Sequence, residues 1–151
     1  MELAIKQARK GASEGHGGPF GAVIVKDDKI ISSAHNSVLR DNDPTRHAEI
    51  RAISMASEEL GSYDLSGCSI YVTTEPCPMC FSAIHWARID RVVYGTRIED
   101  VKKLGFNEMT ISACWMKEEG ASKVEIEPSF MRDECVALLK FWEGLPNRQV
   151  Y

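Results

Sequence analysis

The chain has 151 residues, 44% hydrophobic and 26% charged, with 18 basic and 22 acidic side chains. That length and mixture describe one globular domain, residues 1–151, able to bury about two thirds of its unfolded surface, and they exclude a mainly disordered chain. No apolar run approaches the roughly 18 residues of a membrane span, the charged opening MELAIKQARK has no apolar leader core, and a net charge of −4 argues against a surface built mainly for nucleic acid.

Residues 1–14 are expected to form a helix, with Ala4, Ala8 and Ala12 on one stripe and Ile5 beside them. Gly15 to Pro19 break it. Phe20 to Val25 is a nearly continuous apolar run and predicts a strand buried on both faces. Lys26 to Lys29 read as a hairpin turn into a second strand, Ile30 to Ala34. After the Asp41–Pro44 loop, a helix is predicted from Thr45 to about Leu60, covering Ala48, Ala52, Ile53 and Ala56, with Gly61 as its stop. Cys68 to Thr74 is a third strand, Glu75 to Pro78 a loop, and Met79 to Ala87 a helix. Arg91 to Gly95 gives a fourth strand. Residues 98–120 have no clear period beyond a short helix at Val101–Leu104. Lys123 to Glu127 alternates like a fifth strand, and Phe130 to Trp142 is an amphipathic closing helix. Helices alternating with short apolar strands predict an α/β domain, a central sheet of about five strands with helices on both faces.

Five cysteines fit a secreted disulfide framework poorly. Cys68, Cys114 and Cys135 lie singly in apolar stretches and read as small buried hydrophobes. Cys77 and Cys80 form a C-x-x-C, which in a chain without a leader indicates metal or redox chemistry in a reducing compartment such as the cytoplasm.

Thirty positions before Cys77 stands His47-Ala48-Glu49. Two thiolates and one imidazole supply three zinc ligands and leave the fourth tetrahedral position for water, the pattern of a catalytic site. A closed structural site would have to recruit Cys68, Cys114 or Cys135; a thioredoxin-like redox pair would have no use for a separate His-x-Glu. Cys77 and Cys80, at i and i+3 around a helix start, can face one metal. His47 and Glu49 stand about 200° apart on an ideal helix, so both can serve that metal only if His47 lies at or before the first turn. Glu49 is the acid–base candidate, because a carboxylate beside activated water can take its proton and hand it on. H-x-E…P-C-x-x-C is the signature of zinc-dependent nucleobase deaminases, so this step rests on a known pattern as well as on spacing.

The HAE and PCPMC motifs resemble the cytidine-deaminase-like superfamily of zinc hydrolases. The likeness runs through GGPFGAVIVKD, HNSVLRDNDPTRHAEIRAI, YVTTEPCPMCFSAIHWARIDRVVYG and LGFNE, and is most like the bacterial-type guanine deaminases. The tRNA adenosine deaminases share DPTxHAEI and VTxEPCxMC and are the nearest rivals. Phe20, Trp86 in AIHWAR and the closing Tyr151 tilt the resemblance toward a tight pocket for a flat free base. The closing helix RDECVALLKFW is similar to both groups.

The resemblance implies a three-layer α/β/α sandwich around a mixed sheet, with one zinc per chain held by His47, Cys77 and Cys80. It implies Glu49 as proton shuttle and Asn36, Phe20, Trp86, Glu108 and Tyr151 as base-binding residues. Some relatives carry Asp where Glu108 stands. It further implies a homodimer in which the tail, about residues 144–151, can cross to the partner's pocket. The expected reaction is guanine plus water to xanthine plus ammonia. The alternatives are adenosine to inosine in a tRNA anticodon loop, deamination of cytosine, a nucleoside or another amino-heterocycle, and, with Glu49 present the weakest, a non-catalytic zinc-binding subunit.

Overall fold

A computed structural model describes residues 1–151. The elements in chain order are α1 (Glu2–Ser13), β1 (Gly21–Lys26), β2 (Lys29–His35), α2 (Val38–Asp41), α3 (Ala48–Leu60), β3 (Cys68–Thr74), α4 (Pro78–Trp86), β4 (Arg91–Thr96), α5 (Ile98–Lys102), α6 (Ala113–Glu119), β5 (Glu125–Glu127) and α7 (Arg132–Glu143). The strands form one mixed sheet in the order β2-β1-β3-β4-β5. β1 is antiparallel to β2 and β3, while β4 is parallel to β3 and β5.

Alternation along β1 divides the layers. Ala22 and Ile24 point into the main core with Ala48, Ala52 and Ala56 of α3, and Phe81 and Ile84 of α4 close the same face. On the opposite face α1 lies so close that a Cβ on Gly21 would come within 2.0 Å of the Ala4 carbonyl oxygen. The small stripe Ala4, Ala8 and Ala12 permits that approach. Beside α1, α7 lays Cys135 over Gly95. The result is the expected α/β/α sandwich. A second cluster of Ala12, Val101, Phe106, Leu139 and Trp142 fills the space under the C-terminal helix.

The departures from the sequence reading have local causes. Phe20 precedes β1, its N–H bonded to the Gly18 carbonyl at 2.8 Å. The helix expected from Thr45 starts at Ala48, because Asp43 accepts the Thr45 N–H at 2.8 Å and its hydroxyl at 2.6 Å and holds that segment as a turn. Residues 98–120 contain α5 and α6, the latter started by Ser112, whose hydroxyl accepts from the Trp115 N–H at 3.1 Å. The fifth strand keeps only Glu125–Glu127. The last helix starts at Arg132, since Ser129 and Met131 adopt positive φ (64° and 51°) and hold Phe130 in the turn between them. No helix is long and apolar enough to cross a membrane.

Candidate active site

Two helix starts converge above the carboxyl end of β3. His47 is the N-cap of α3 and Cys77 the N-cap of α4, both with extended backbone (ψ 154° and 167°). The condition set by the His-x-Glu spacing is therefore met: His47 stands outside the helix, and Glu49 turns toward the same cleft from its first turn. Pro78 at the first position of α4 has no N–H to leave unbonded, and Cys80 follows one turn from Cys77. The positive ends of two helices thus face the thiols and favour thiolate.

The His47 Nδ1 lies 3.6 Å from the Cys77 Sγ and 3.5 Å from the Cys80 Sγ, and the three donor atoms lie within 4.8 Å of one another. Zn–S near 2.3 Å and Zn–N near 2.0–2.1 Å at a tetrahedral angle put sulfur and nitrogen about 3.5–3.6 Å apart, so the donor set fits that ion. No other cysteine joins the cluster. Cys68 and Cys135 are buried in the body and Cys114 is exposed on α6, so no fourth thiolate closes the site.

Without metal, the ionisation of these groups is strongly biased. Donation from Cys80 lowers the Cys77 thiol to about 4, against the opposing effect of burial and with help from His47. Burial would depress His47, but the Cys77 thiolate and Glu49 outweigh it and raise its pKa. Burial raises Glu49 to about 7, against the pull of His47. A carboxyl with that affinity is matched to moving protons near neutral pH.

The cleft above β3 is lined by Phe20, His47, Glu49, Thr73, Cys77 and Glu108 among others. Thr73, Thr74 and Glu75, which the motif reading did not single out, form its floor. Their signal in the sequence was position alone, the end of a strand running into the metal loop. Glu75 is buried and accepts the Ala113 N–H at 2.9 Å and the Ile98 N–H at 3.4 Å, tying the metal loop to the segment that carries Glu108. Burial raises the Glu108 carboxyl above its usual range.

Asn36 is fully buried, and its Oδ1 accepts both the Val38 N–H at 3.2 Å and the Tyr151 hydroxyl at 2.7 Å. Those two donors fix the amide orientation and leave Nδ2 as the chain's single buried side-chain polar atom without a partner. The tail lies against the pocket of its own chain, with Tyr151 packed edge-on against Phe106 at 5.4 Å. Trp86 is not brought to the pocket of its own chain. It ends α4, about 13 Å along the axis from Cys77, is 79% exposed, and meets His85 and Met116 instead.

The model of the cytidine and deoxycytidylate deaminase zinc-binding region matches residues 1–96, the segment that contains His47, Glu49, Cys77 and Cys80. The chain belongs to that family. A guanine deaminase of Bacillus subtilis is 47% identical over 111 residues, covering 74% of this chain and 71% of the relative. A tRNA-specific adenosine deaminase of Buchnera aphidicola is 37% identical over 139 residues, covering 92% and 88%. The solved guanine deaminase of Nitrosomonas europaea superposes with a TM-score of 0.86 at 29% identity, over 95% of this chain and 82% of that one. The protein is a zinc-dependent deaminase of this fold.

Proposed function

We propose that this deaminase acts on a free purine base and converts guanine to xanthine and ammonia, using His47, Cys77 and Cys80 as zinc ligands and Glu49 as proton shuttle. The observation that carries the substrate class is the closed tail. With Tyr151 bonded to Asn36 and packed on Phe106, the cleft suits a single flat base, whereas a nucleotide within a folded RNA needs an open approach. The excess of acidic side chains points the same way.

Zinc held by His47, Cys77 and Cys80 would supply a water of lowered pKa. Glu49 takes a proton from that water and places it on the ring nitrogen beside the carbon under attack. Once the carbon–oxygen bond has formed, Glu49 takes the second proton from the added hydroxyl and delivers it to the amine, so that the carbon–amine bond breaks, the carbon keeps a carbonyl oxygen and the nitrogen leaves as ammonia. Asn36 Nδ2 donates to an acceptor on the base edge, satisfying the one orphaned group. Glu108, which lines the cleft, would accept from the N–H of the six-membered ring, which guanine has and adenine lacks. Phe20 and Phe106, edge to face at 5.2 Å, wall the base, and the tail excludes water. A homodimer accompanies this reading, with exposed Trp86 as a group that a second copy would cover.

The longer match to tRNA-specific adenosine deaminases supports a second reading, adenosine to inosine in an anticodon loop. Ammonia release from guanine, adenine, cytosine and guanosine, run beside inosine formation in an adenosine-bearing anticodon stem-loop, separates the two. Guanine turnover giving xanthine is expected. Inosine formation with no turnover of guanine would overturn the free-base reading.

A further inference from the structure

A second group of metal-ligating side chains lies outside the cleft. Glu14, His16 and His35 bring an Oε2, an Nδ1 and an Nε2 within 4.8 Å of one another. The His16 Nδ1 stands 3.0 Å from the His35 Nε2 and 3.3 Å from the Glu14 Oε2. Two imidazole nitrogens on one tetrahedral zinc stand about 3.3 Å apart, so a small rotation of the partly exposed His16 ring admits the ion.

The surroundings prepare this cluster. The Gln7 Nε2 donates to the Ser33 hydroxyl at 3.2 Å, which turns its Oε1 toward the His35 Nδ1 at 3.4 Å. A hydrogen on the His35 Nδ1 then leaves the Nε2 lone pair facing His16, the carbonyl-to-histidine support common behind metal ligands. His35 is buried against Gly11, where any Cβ would stand 2.4 Å from the ring. The His16 backbone is held on both sides. Its N–H donates to the Gly11 carbonyl at 2.9 Å, and its carbonyl accepts from Leu39 and Arg40 at 3.0 and 3.1 Å. Arg51 bonds the His35 carbonyl at 2.6 Å and brings positive charge, which the Glu14 carboxylate offsets, while Arg40 is paired with Asp41.

We propose that Glu14, His16 and His35 form a second binding site for a divalent first-row transition ion such as zinc, open to solvent at its remaining position. Binding needs no redox step. The hydrogen between the two rings moves to the His16 Nε2, and the Nδ1 lone pair passes to the metal. The site fastens the 14–18 loop to the end of β2. Gly17 of that loop packs on Asn36 (a Cβ there would stand 2.0 Å from its Oδ1), and Gly18 donates to the Tyr151 hydroxyl at 3.1 Å.

The test is metal stoichiometry on the full chain. After equilibrium dialysis against zinc, elemental analysis of the wild-type protein is expected to give two ions per chain, and His16→Ala one. Cobalt titration tells the sites apart, because only the cysteine site gives thiolate-to-cobalt charge transfer; the second equivalent should add ligand-field absorption alone. Gln7→Ala should weaken the second equivalent roughly 10–100-fold and leave the first unchanged. Should His16→Ala misfold by circular dichroism, Gln7→Ala and Glu14→Gln carry the same comparison. One ion per wild-type chain, or equal second-ion affinity in the wild type and these variants, would overturn the proposal.

Discussion

The Tyr151 hydroxyl donates to the Asn36 Oδ1 at 2.7 Å, joining positions 115 residues apart. That bond, with the Gly18 N–H on the same hydroxyl, brings Tyr151 to the asparagine proposed to bind the base. Removing the hydroxyl alone, in Tyr151→Phe, loses a net hydrogen bond of about 1 kcal/mol, so KM for a free base should rise about fivefold. Deleting residues 147–151 removes the aromatic cover as well and should raise KM further and lower kcat, because water then enters the cleft. Zinc content should stay constant in both. Steady-state kinetics identical to wild type would show that the tail does not cover the site.

Glu49→Gln should keep the metal and the fold, since the residue is not a ligand, while kcat falls roughly 10²–10⁴-fold. Elemental analysis and single-turnover ammonia release check the two halves separately. Turnover near wild type would assign the shuttle to another group, and Glu108 is the other carboxyl with a raised pKa lining the cleft.

The metal-stripped protein should show a pH dependence traceable to the same side chain. Burial lifts the folded Glu49 from 4.5 to about 7. Between those values the unfolded chain ionises and the folded chain holds its proton, so stability falls as pH rises from 4.5 toward 7. The loss is at most on the order of 3 kcal/mol for this group. The raised His47 acts in the same direction and the lowered Cys77 in the opposite one, so the Glu49 contribution is the difference between wild type and Glu49→Gln. Denaturant titrations of stripped wild type and stripped Glu49→Gln at pH 5 and 7 check this. The wild type should lose more stability over that interval than the variant, and parallel losses would remove Glu49 as the cause.

What the sequence discloses about this molecule depends on how tightly chemistry constrains residue type. The clustering of His47, Cys77 and Cys80 was legible because an open zinc site admits few side chains, and the His-x-Glu spacing even required His47 to precede its helix, as it does. The strands were legible as apolar runs, except that Phe20 stays outside β1. The 98–120 region was not legible, because α6 has a single buried residue, Ala113, and its start depends on one hydroxyl cap. Glu75 read as loop because nothing in Glu-Pro signals a buried carboxylate serving two helix starts. The pairing of His16 with His35 needs the α1–β2 packing and has no local signature.

Trp86 stands away from the cleft of its own chain. Six positions after Cys80 places it at the far end of α4, with its ring in solvent beside His85. If each chain works alone, Trp86→Ala should leave kcat/KM unchanged, because the side chain touches nothing in its own cleft. If a second copy seats on this face, the same substitution should shift the protein toward monomer in sedimentation. The two readouts are independent. A fall in kcat/KM that tracks dissociation would mean that the partner's Trp86 completes the pocket. Dissociation with full activity would make it an interface residue only. An unchanged dimer with unchanged kinetics would remove Trp86 from both roles.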